Sequence, residues 1–257
     1  MLNFRNTNIF FILLLIVFIG VHVNYGLPVY IYPILFVVYS LVIFYGCYDV
    51  GSNFFIKIAC SANTDKKEIS ISFDDGPATN YTPEILQLLK QENIKATFFC
   101  IGNRIAGNEQ ILNRIKEEGH LIGNHSYSHD TWFDLFSSKK MLDDMKQMDR
   151  EMERVTGLQP KLFRPPYGVT NPNLKKAIIK GGYTPVGWSV RSFDTVIKDE
   201  QKLLNRINAA IRPGAVFLFH DTMQTTLQAL PGFIKEVKNR GYEFVSLDKL
   251  LALKAYA

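Results

Sequence analysis

From Glu68 onward the chain alternates short apolar runs with longer amphipathic stretches, and this alternation limits the possible folds more than any other feature. The apolar runs predict strands, and they read EISISF, KATFFCI, HLIGN, KLFR, YTPVGWSV, GAVFLFH and YEFVSL. The amphipathic stretches predict helices, and they read TPEILQLLKQEN, NEQILNRIKEEG, SKKMLDDMKQMDREMERVTG, NPNLKKAIIKGG and DEQKLLNRINAAIRPG. Such alternation favours an α/β fold with a parallel sheet and right-handed crossovers, which can close into a barrel.

The N-terminal residues 9–48 are almost entirely apolar and predict a membrane anchor. The second of their two runs, roughly twenty residues, is long enough to span a bilayer, whereas the first, about fifteen, is marginal. A cleaved signal peptide is the alternative, but VHVNYG lacks the small residues of a cleavage site and a second apolar run follows at once. We expect one or two transmembrane helices in residues 1–50, a linker in 51–67 and one folded domain in 68–257.

The sequence leaves the side of the membrane open. Two spans would put both chain ends on one side, and the flanking basic residues then favour a cytoplasmic domain. Those residues are Arg5, Lys57, Lys66 and Lys67. A single span would allow the domain to face outward. Either way we expect an integral membrane protein in contact with lipid.

The charge pattern speaks against a nucleic-acid partner. The formal net charge of +5 is mild, and the lysines and arginines are scattered among acidic residues rather than clustered. Three cysteines, Cys47, Cys60 and Cys100, show no spacing typical of a metal site or a disulfide framework. Cysteine usage therefore gives no indication of the cellular compartment.

Two adjacent carboxylates, Asp74 and Asp75, stand in the segment ISFDDGP, where an apolar run ends. Like charges repel, and each carboxylate costs free energy to desolvate unless a positive group lies nearby. A metal ion or an arginine would supply that group. We expect it at the ends of the other strands, because chemistry gathers at the C-terminal ends of parallel strands.

Two histidines, His125 and His129, lie four residues apart in GNHSYSHD. On a helical turn this spacing puts both imidazoles on one face, as a metal ion requires of two nitrogen ligands. With one carboxylate they would form a ligand set that leaves positions open for water and substrate. Zn²⁺ is the first choice for such ligands, with Co²⁺, Mn²⁺ or Ni²⁺ as alternatives.

Two further predicted strands end in polar residues. In FRPPYG the prolines stiffen the backbone, so Arg164 can face a carboxylate and the Tyr167 N–H can face a developing oxyanion. A proline-rich loop with a surface arginine is the alternative. FLFHD delivers His220, which suits proton transfer near neutrality, although a lone histidine at a strand end is more often structural.

Taken together, the ordered segments SFDDGP, HSYSH, RPPYG, WSVRSFD and LFHD resemble the polysaccharide deacetylase family, the NodB-homology domain of family 4 carbohydrate esterases. The resemblance runs from about Glu68 to Leu250. It implies a distorted (β/α) barrel, here preceded by transmembrane helices, in which residues 68–257 form the deacetylase domain. It also implies metal-dependent removal of N-acetyl groups from amino sugars.

The resemblance implies a role for each matching residue on the water-activating side. Asp74 corresponds to the general base, and Arg164 corresponds to the partner that keeps this carboxylate ionised and oriented. The implied metal ligands are Asp75, His125 and His129.

On the leaving-group and substrate side, His220 corresponds to the general acid and Asp194 to the carboxylate that tunes it. Tyr167 corresponds to the backbone oxyanion donor. Leu218 corresponds to the hydrophobic wall that receives the acetyl methyl. The implied substrate contacts are Pro166, Tyr167 and Leu218.

One segment departs from the family pattern. The family usually has D-x-x-D-W where this chain reads RSFDT, so Arg191 replaces an aspartate and Thr195 replaces a tryptophan. In the family, the missing aspartate normally helps to hold the catalytic arginine. Its replacement by Arg191 removes that support from the corresponding residue, Arg164. Trp188, seven residues before Thr195, cannot be assumed to fill the missing wall. We expect altered specificity rather than loss of activity.

Three functional hypotheses follow. The first is a deacetylase of a polymer such as peptidoglycan, a chitin-like glycan or an exopolysaccharide. The second is a deacetylase or deformylase of a lipid-linked amino sugar at the membrane face. The third is a catalytically silent, membrane-tethered glycan-binding protein, against which Asp74 and His220 speak, because a binding protein has little use for an acid–base pair.

Overall fold

The computed structural model describes residues 2–257, which contain eight strands and nine α-helices. The strands are β1 (Glu68–Asp74), β2 (Thr97–Cys100), β3 (Leu121–Asn124), β4 (Leu162–Phe163), β5 (Thr184–Pro185), β6 (Val190–Arg191), β7 (Val216–His220) and β8 (Glu243–Phe244). The helices are α1 (Phe4–Tyr25), α2 (Ile31–Tyr48), α3 (Thr82–Gln91), α4 (Glu109–Glu117), α5 (Ser138–Thr156), α6 (Pro172–Gly181), α7 (Glu200–Ala209), α8 (Gln224–Asn239) and α9 (Leu247–Leu251).

All strand pairs are parallel, and the order across the sheet is β5-β4-β3-β2-β1-β7-β6, with β8 pairing the start of β1. Strand β1 is therefore central. At its C-terminal end Asp74 is in register with Phe99 of β2 and His220 of β7. This register brings the residues that follow three strands to one edge of the sheet.

The predicted strand YTPVGWSV is in fact two short strands, and the prediction of one strand was wrong. Strand β5 pairs with β4 and β6 pairs with β7, at opposite ends of the sheet order. The segment between them keeps contact with both edges, since Val186 N donates to Phe163 O (2.8 Å) and Ser189 N donates to Val216 O (3.1 Å). The sheet thereby curls round into the predicted distorted (β/α) barrel.

The alternation of side chains along β1 separates the hydrophobic core from the polar interior of the barrel. Ile69, Ile71 and Phe73 face outward into a buried cluster with residues of α3 and α8. The residues between them, Ser72 and Asp74 among others, face the other side, because successive strand side chains point in opposite directions. Asp74 therefore reaches the barrel interior as a consequence of strand geometry.

Helix α8 was absent from the predicted elements. Pro231 lies inside it and provides no backbone N–H for the helical ladder, which normally argues against a helix. Its inner face compensates by burial, and Phe233 packs against Phe217 at a ring-centroid distance of 4.9 Å and against Phe219 at 5.7 Å. Tertiary packing thus overrides the local signal.

The N-terminal helices α1 and α2 pack side by side in antiparallel directions. Tyr39 Oη donates to Asn8 Oδ1 (2.8 Å) near one end, and Tyr32 Oη donates to Phe18 O (3.4 Å) near the other. By length and composition, both helices could cross a membrane. Helix α1 has 22 residues and begins at Phe4, so it is longer than the apolar run alone indicated.

The predicted linker, residues 51–67, packs on the barrel. Phe54 and Phe55 are buried, and residue Ala59 forms a parallel bridge with Val186 beside β5. Phe4 N donates to Phe54 O (2.9 Å), which fastens the start of α1 to the same segment. The domain boundaries at residues 50 and 67 stay predictions.

Candidate active site

The paired carboxylates lie at the C-terminal end of β1, and Asp74 Oδ2 and Asp75 Oδ1 each lie 3.7 Å from His125 Nε2. Asp74 continues the strand and is 3% exposed. Asp75 has a φ of 77°, so the chain turns and its side chain leaves the strand plane. Arg104 Nη1 donates to the backbone oxygen of Asp75 (2.5 Å), which fixes the turn. The turn lets two adjacent carboxylates meet different partners.

Asp74 is paired with Arg164, which is completely buried. Arg164 Nη1 donates to Asp74 Oδ1 (2.7 Å) and to Ser72 Oγ (2.8 Å). Nη2 donates to Gly187 O (2.8 Å), and the guanidinium lies 4.0 Å from the centroid of the Phe99 ring. A hydroxyl, a carbonyl and an aromatic face thus hold the arginine in a chain that has Arg191 where the family has a carboxylate.

The two histidines come from a loop after β3, and not from the helical turn that their spacing suggested. Ser126 and His129 have φ values of 66° and 45°, which are not helical. Asn124 Oδ1 accepts from Ser126 N (2.8 Å), and Ser126 Oγ accepts from His129 N (3.0 Å). This hydrogen-bonded turn still brings the imidazoles of His125 and His129 together, with ring centroids 4.9 Å apart.

Asp75, His125 and His129 form a cluster whose candidate ligand atoms all lie within 4.8 Å of one another. Asp75 Oδ1 is 3.7 Å from His125 Nε2 and 3.5 Å from His129 Nε2. His125 Nδ1 lies 2.8 Å from Arg164 O, and because a carbonyl only accepts, Nδ1 carries the proton and Nε2 presents its lone pair. Two such nitrogens and one carboxylate fit a divalent cation with positions left open.

The pKa of His129 also suits a metal ligand. Burial and the neighbouring His125 lower this pKa to about 4, against the opposing effect of Asp75. The imidazole is therefore neutral near neutral pH, as coordination requires.

His220, at the end of β7, is bound by Asp194 at two points. His220 Nδ1 lies 2.8 Å from Asp194 Oδ1, and His220 N donates to Asp194 Oδ2 (2.7 Å). Thr226 Oγ1 of α8 donates to the same Oδ2 (2.5 Å). These hydrogen bonds fix the ring with Nδ1–H toward the carboxylate.

The pKa values of His220 and Asp194 are shifted in opposite directions. Burial alone would lower the pKa of His220, but the hydrogen bond and charge of Asp194, with Asp74 and Asp75, raise it to about 9. Burial would raise the pKa of Asp194, yet its hydrogen bonds from His220 and Thr226 hold it below its ordinary value. The imidazolium is thus the stable form at neutral pH.

The segment RPPYG forms one wall of the site. Tyr167 has a φ of 58°, and its ring stands edge-on to the His129 ring at a centroid distance of 4.8 Å. Within residues 2–257 the Tyr167 N–H meets no acceptor outside its own turn. Gly168 leaves room for the Trp188 indole, because a side chain there would collide with it.

All these groups surround one cavity of about 200 Å³. Its lining residues are Asp74, Asp75, His125, His129, Pro165, Tyr167, Gly168, Trp188, Arg191, Thr195, Leu218 and His220. Of the sequence-predicted residues, Arg164 and Asp194 lie behind this lining and hold Asp74 and His220. Pro166 is buried beside Tyr167 and is not part of the lining.

Several contributing residues escaped sequence reasoning. Trp188 lines the cavity despite its offset from the expected tryptophan, and its ring lies 5.7 Å from the Arg164 guanidinium. Ser72 and Thr226 support the two charged pairs. The position of Ser72, two residues before Asp74, was the available signal, since residues i and i+2 share one face of a strand.

A buried carboxylate, Asp221, supports the turn after the paired aspartates. Thr82 Oγ1 donates to its Oδ2 (2.6 Å), and the carboxylate packs against Gly76, where no side chain would fit. Burial raises the pKa of Asp221 to about 7, although the Thr82 hydrogen bond opposes the shift.

Comparison with known proteins identifies relatives of this chain. A family model described as polysaccharide deacetylase matches residues 61–186. A peptidoglycan-N-acetylmuramic acid deacetylase of Bacillus subtilis, PdaA, is 33% identical over 193 residues, which cover 74% of this chain and 73% of the relative.

Two solved structures have similar folds. A peptidoglycan N-acetylglucosamine deacetylase, crystallised with a substituted benzamide, superposes with a TM-score of 0.73 at 33% identity, over 77% of this chain and 94% of that one. The chitin deacetylase of Colletotrichum lindemuthianum also gives a TM-score of 0.73, at 25% identity, over 78% of this chain and 95% of that one. The chain therefore belongs to the polysaccharide deacetylase family, the family 4 carbohydrate esterases with a NodB-homology domain, and is a polysaccharide deacetylase.

Proposed function

We propose that this enzyme removes N-acetyl groups from amino sugars of a glycan polymer in a metal-dependent reaction, with peptidoglycan as the first candidate. The observation that carries the proposal is the convergence of two charged pairs, Asp74–Arg164 and His220–Asp194, on one cavity beside a cation-binding cluster. The named activities of the bacterial relatives support peptidoglycan, while the fungal neighbour keeps a chitin-like glycan as a comparison substrate.

Asp75, His125 and His129 would hold the cation, for which Zn²⁺ is the first choice and Co²⁺, Mn²⁺ or Ni²⁺ are alternatives. When bound, such a cation polarises a carbonyl and lowers the pKa of a bound water. The chain itself supplies the remaining groups. Its contribution is to position the substrate amide and to move two protons.

Asp74 would act as the general base. Its Oδ1 accepts from Arg164, which supplies a counter-charge to the buried carboxylate, while Oδ2 lies 3.7 Å from His125 Nε2 on the side of the cation cluster. From there it accepts the proton of the attacking water. The Tyr167 N–H, which within residues 2–257 meets no acceptor outside its own turn, would donate to the oxyanion that forms at the amide carbonyl.

His220 would act as the general acid. Breaking the C–N bond requires a proton on the departing sugar nitrogen, because an amide anion is a poor leaving group. Asp194 binds Nδ1–H, so the proton that His220 delivers is the one on Nε2. The raised pKa keeps that proton in place at neutral pH.

The apolar part of the cavity would receive the acetyl group. Leu218, 2% exposed, and Trp188 both line the cavity next to the polar groups. Burial of a methyl against such surfaces stabilises the bound acetyl group by about 0.8 kcal/mol. Tyr167, 46% exposed at the cavity rim, would contact the sugar ring, with Pro166 fixing its backbone.

The test is product analysis with the full chain, purified in detergent and loaded with zinc. The protein is incubated with peptidoglycan, chitin oligomers and an N-acetylated exopolysaccharide, and digested products are examined for free amino sugars by mass spectrometry. The proposal requires free amines in at least one glycan after incubation with wild type, and a yield at least 100-fold lower after the same incubation with Asp74→Asn, about the smallest loss expected for a general base. A silent glycan-binding protein would bind glycan equally in both forms and give free amines in neither.

We further propose that α1 and α2 anchor the enzyme in a membrane with the cavity close to the bilayer. Thr170, two residues after the Gly168 turn, donates through N to Cys47 O (3.0 Å) and through Oγ1 to Gly46 O (3.1 Å), at the end of α2. Asn171 Nδ2 donates to Asp134 O (2.7 Å) on the neighbouring loop. That loop presents two exposed apolar side chains.

Those side chains are Trp132, 67% exposed, and Leu135, 74% exposed. Tryptophan and leucine beside the end of a membrane helix suit the lipid interface. This arrangement favours a second candidate substrate, a lipid-linked amino sugar that is deacetylated or deformylated at the membrane face. A wall polymer lying against the bilayer would be accessible from the same position.

The topology of the chain separates the two candidates. A reporter fused after Ala257 in intact cells shows which side of the membrane carries the catalytic domain. An outward domain directs the assays to wall polymers. An inward domain excludes wall polymers and directs the assays to lipid-linked amino sugars.

A further inference from the structure

Arg191 is a cationic side chain in the active-site cavity that the proposed reaction does not use. Within residues 2–257 it is the only lysine or arginine that lines this cavity. No carboxylate oxygen of those residues lies within 4.0 Å of its guanidinium, and its Nε is buried without a hydrogen-bond partner. A buried donor without an acceptor costs free energy, which a ligand acceptor would recover.

The side chain is positioned by aromatic rings instead of an ion pair. Its guanidinium carbon lies 5.1 Å from the centroid of the Phe193 ring and 5.9 Å from that of Trp188. Its backbone is fixed in β6, in register with Leu218, and its carbonyl accepts from Arg206 Nε (3.3 Å). Ring contacts hold the planar cation and leave its N–H groups free for an anion.

We propose that Arg191 binds an anionic substituent, a carboxylate or a phosphate, on the amino sugar that is deacetylated, and so sets a preference for acidic over neutral sugars. This inference rests on the proposed function and names its substrate class. The guanidinium matches both anions, because its parallel N–H groups bind two oxygens at once.

Two sources of that anion are consistent with the site. Peptidoglycan alternates a neutral sugar, N-acetylglucosamine, with N-acetylmuramic acid, whose lactyl ether carries a free carboxylate where the stem peptide has been removed. A lipid-linked amino sugar carries a phosphate at its anomeric carbon. Arg191 would select the muramic residue in the first case and the phosphorylated sugar in the second.

The experiment compares kcat/KM for acetate release from three substrates by the full chain. They are a chitin oligomer, a peptide-free glycan containing N-acetylmuramic acid, and an N-acetylated sugar linked through phosphate to a polyprenol. For wild type and Arg191→Gln the measured quantity is the ratio of kcat/KM on each acidic substrate to that on the neutral one. Arg212→Gln removes an exposed arginine of the α7–β7 connection as the matched control.

We expect Arg191→Gln to lower one of these ratios about 10- to 100-fold, mainly through KM, as for loss of a charged hydrogen bond. Arg191→Lys should restore part of the ratio, because it keeps the charge and loses the paired geometry. The substrate whose ratio falls identifies carboxylate or phosphate as the ligand. Arg212→Gln should leave the ratios at the wild-type value.

Equal losses on acidic and neutral substrates would overturn the inference and assign Arg191 a structural role. If wild type releases no acetate from any substrate, the proposed reaction fails, and equilibrium binding of the same three substrates still tests Arg191. Tighter binding of an acidic substrate that Arg191→Gln abolishes would support the anion site. Equal binding by both forms would overturn it.

Discussion

Arg164 and Asp74 form an ion pair of 2.7 Å between Nη1 and Oδ1, with the arginine fully buried. The arginine reaches the base from the end of β4, across two intervening strands of the sheet. Because Ser72 Oγ and the carbonyls of Gly187 and Val186 also accept from Arg164, the orientation of the guanidinium does not depend on Asp74 alone. A buried positive group is therefore held in place beside the proposed base inside the barrel.

Arg164→Gln should destabilise the fold and abolish activity. The substitution leaves Asp74 buried without its counter-charge, and breaking a buried ion pair costs about 3–5 kcal/mol. Urea unfolding of the detergent-purified chain measures the loss. The double variant Asp74→Asn/Arg164→Gln should lose less than the two single losses added together, whereas simple additivity would show that the pair is not coupled.

Activity should fall as the pH rises through about 9, because His220 must carry its proton to act as the acid. Asp194→Asn removes the negative charge and one of the two accepting oxygens that raise this pKa, so the alkaline limb should move to lower pH. The pH profile of kcat tests the shift. An alkaline limb that stays in place in Asp194→Asn would assign it to another group.

One divalent cation should bind per chain, and each of the three cluster residues should be needed for it. Asp75→Asn, His125→Ala and His129→Ala should each lower the bound zinc measured by elemental analysis, and a chelator should abolish acetate release reversibly. His22→Gln changes a histidine of α1 far from the cavity and serves as the control. Full zinc content in His129→Ala would contradict the assignment.

Gly76→Ala should disturb the turn that carries Asp75. A methyl group there would collide with the Asp221 carboxylate, which is itself held by Thr82, and such overpacking costs about 1–3 kcal/mol. Thermal unfolding and zinc content should both decrease. Gly51→Ala, where only Asp49 Oδ1 lies near at 3.4 Å, should change neither. Wild-type stability of Gly76→Ala would show that the turn can relax.

Trp132 should lie at the lipid interface if the cavity opens toward the bilayer. In a Trp188→Phe background it is the sole tryptophan, since the chain has two. Brominated lipids should quench its emission when the full chain is reconstituted in vesicles. Quenching by aqueous iodide without quenching by brominated lipid would place the loop away from the membrane.

The positions of the site residues followed from the sequence because a parallel sheet collects its strand ends. Asp74, Arg164 and His220 each stand at the end of a predicted strand, and the fold brings these ends together. The path of the chain between motifs was less predictable. Strand β6 exists only because its residues reach β7 from across the barrel, a contact that no local pattern encodes.

Predictions from local sequence patterns were also wrong where side-chain contacts determine the backbone conformation. The histidine spacing suggested a helix, but the side chains of Asn124 and Ser126 bind the backbone N–H groups of the loop and favour a turn. Pro231 argues locally against a helix because it provides no backbone N–H, but the burial of the inner face of α8 outweighs the loss of one helical hydrogen bond. Trp188 could not be placed because its entry into the cavity depends on Gly168 in a separate segment.

The rate of acetate release by zinc-loaded wild type and Asp74→Asn, measured side by side on peptidoglycan and chitin oligomers, tests whether the enzyme deacetylates a glycan polymer with Asp74 as its base. We predict release by wild type and a rate about 10²- to 10⁴-fold lower for Asp74→Asn, with zinc content unchanged. Equal rates in the two forms would contradict the role of Asp74 as the base. No release by zinc-loaded wild type from either glycan, or from a lipid-linked amino sugar, would contradict the proposed reaction.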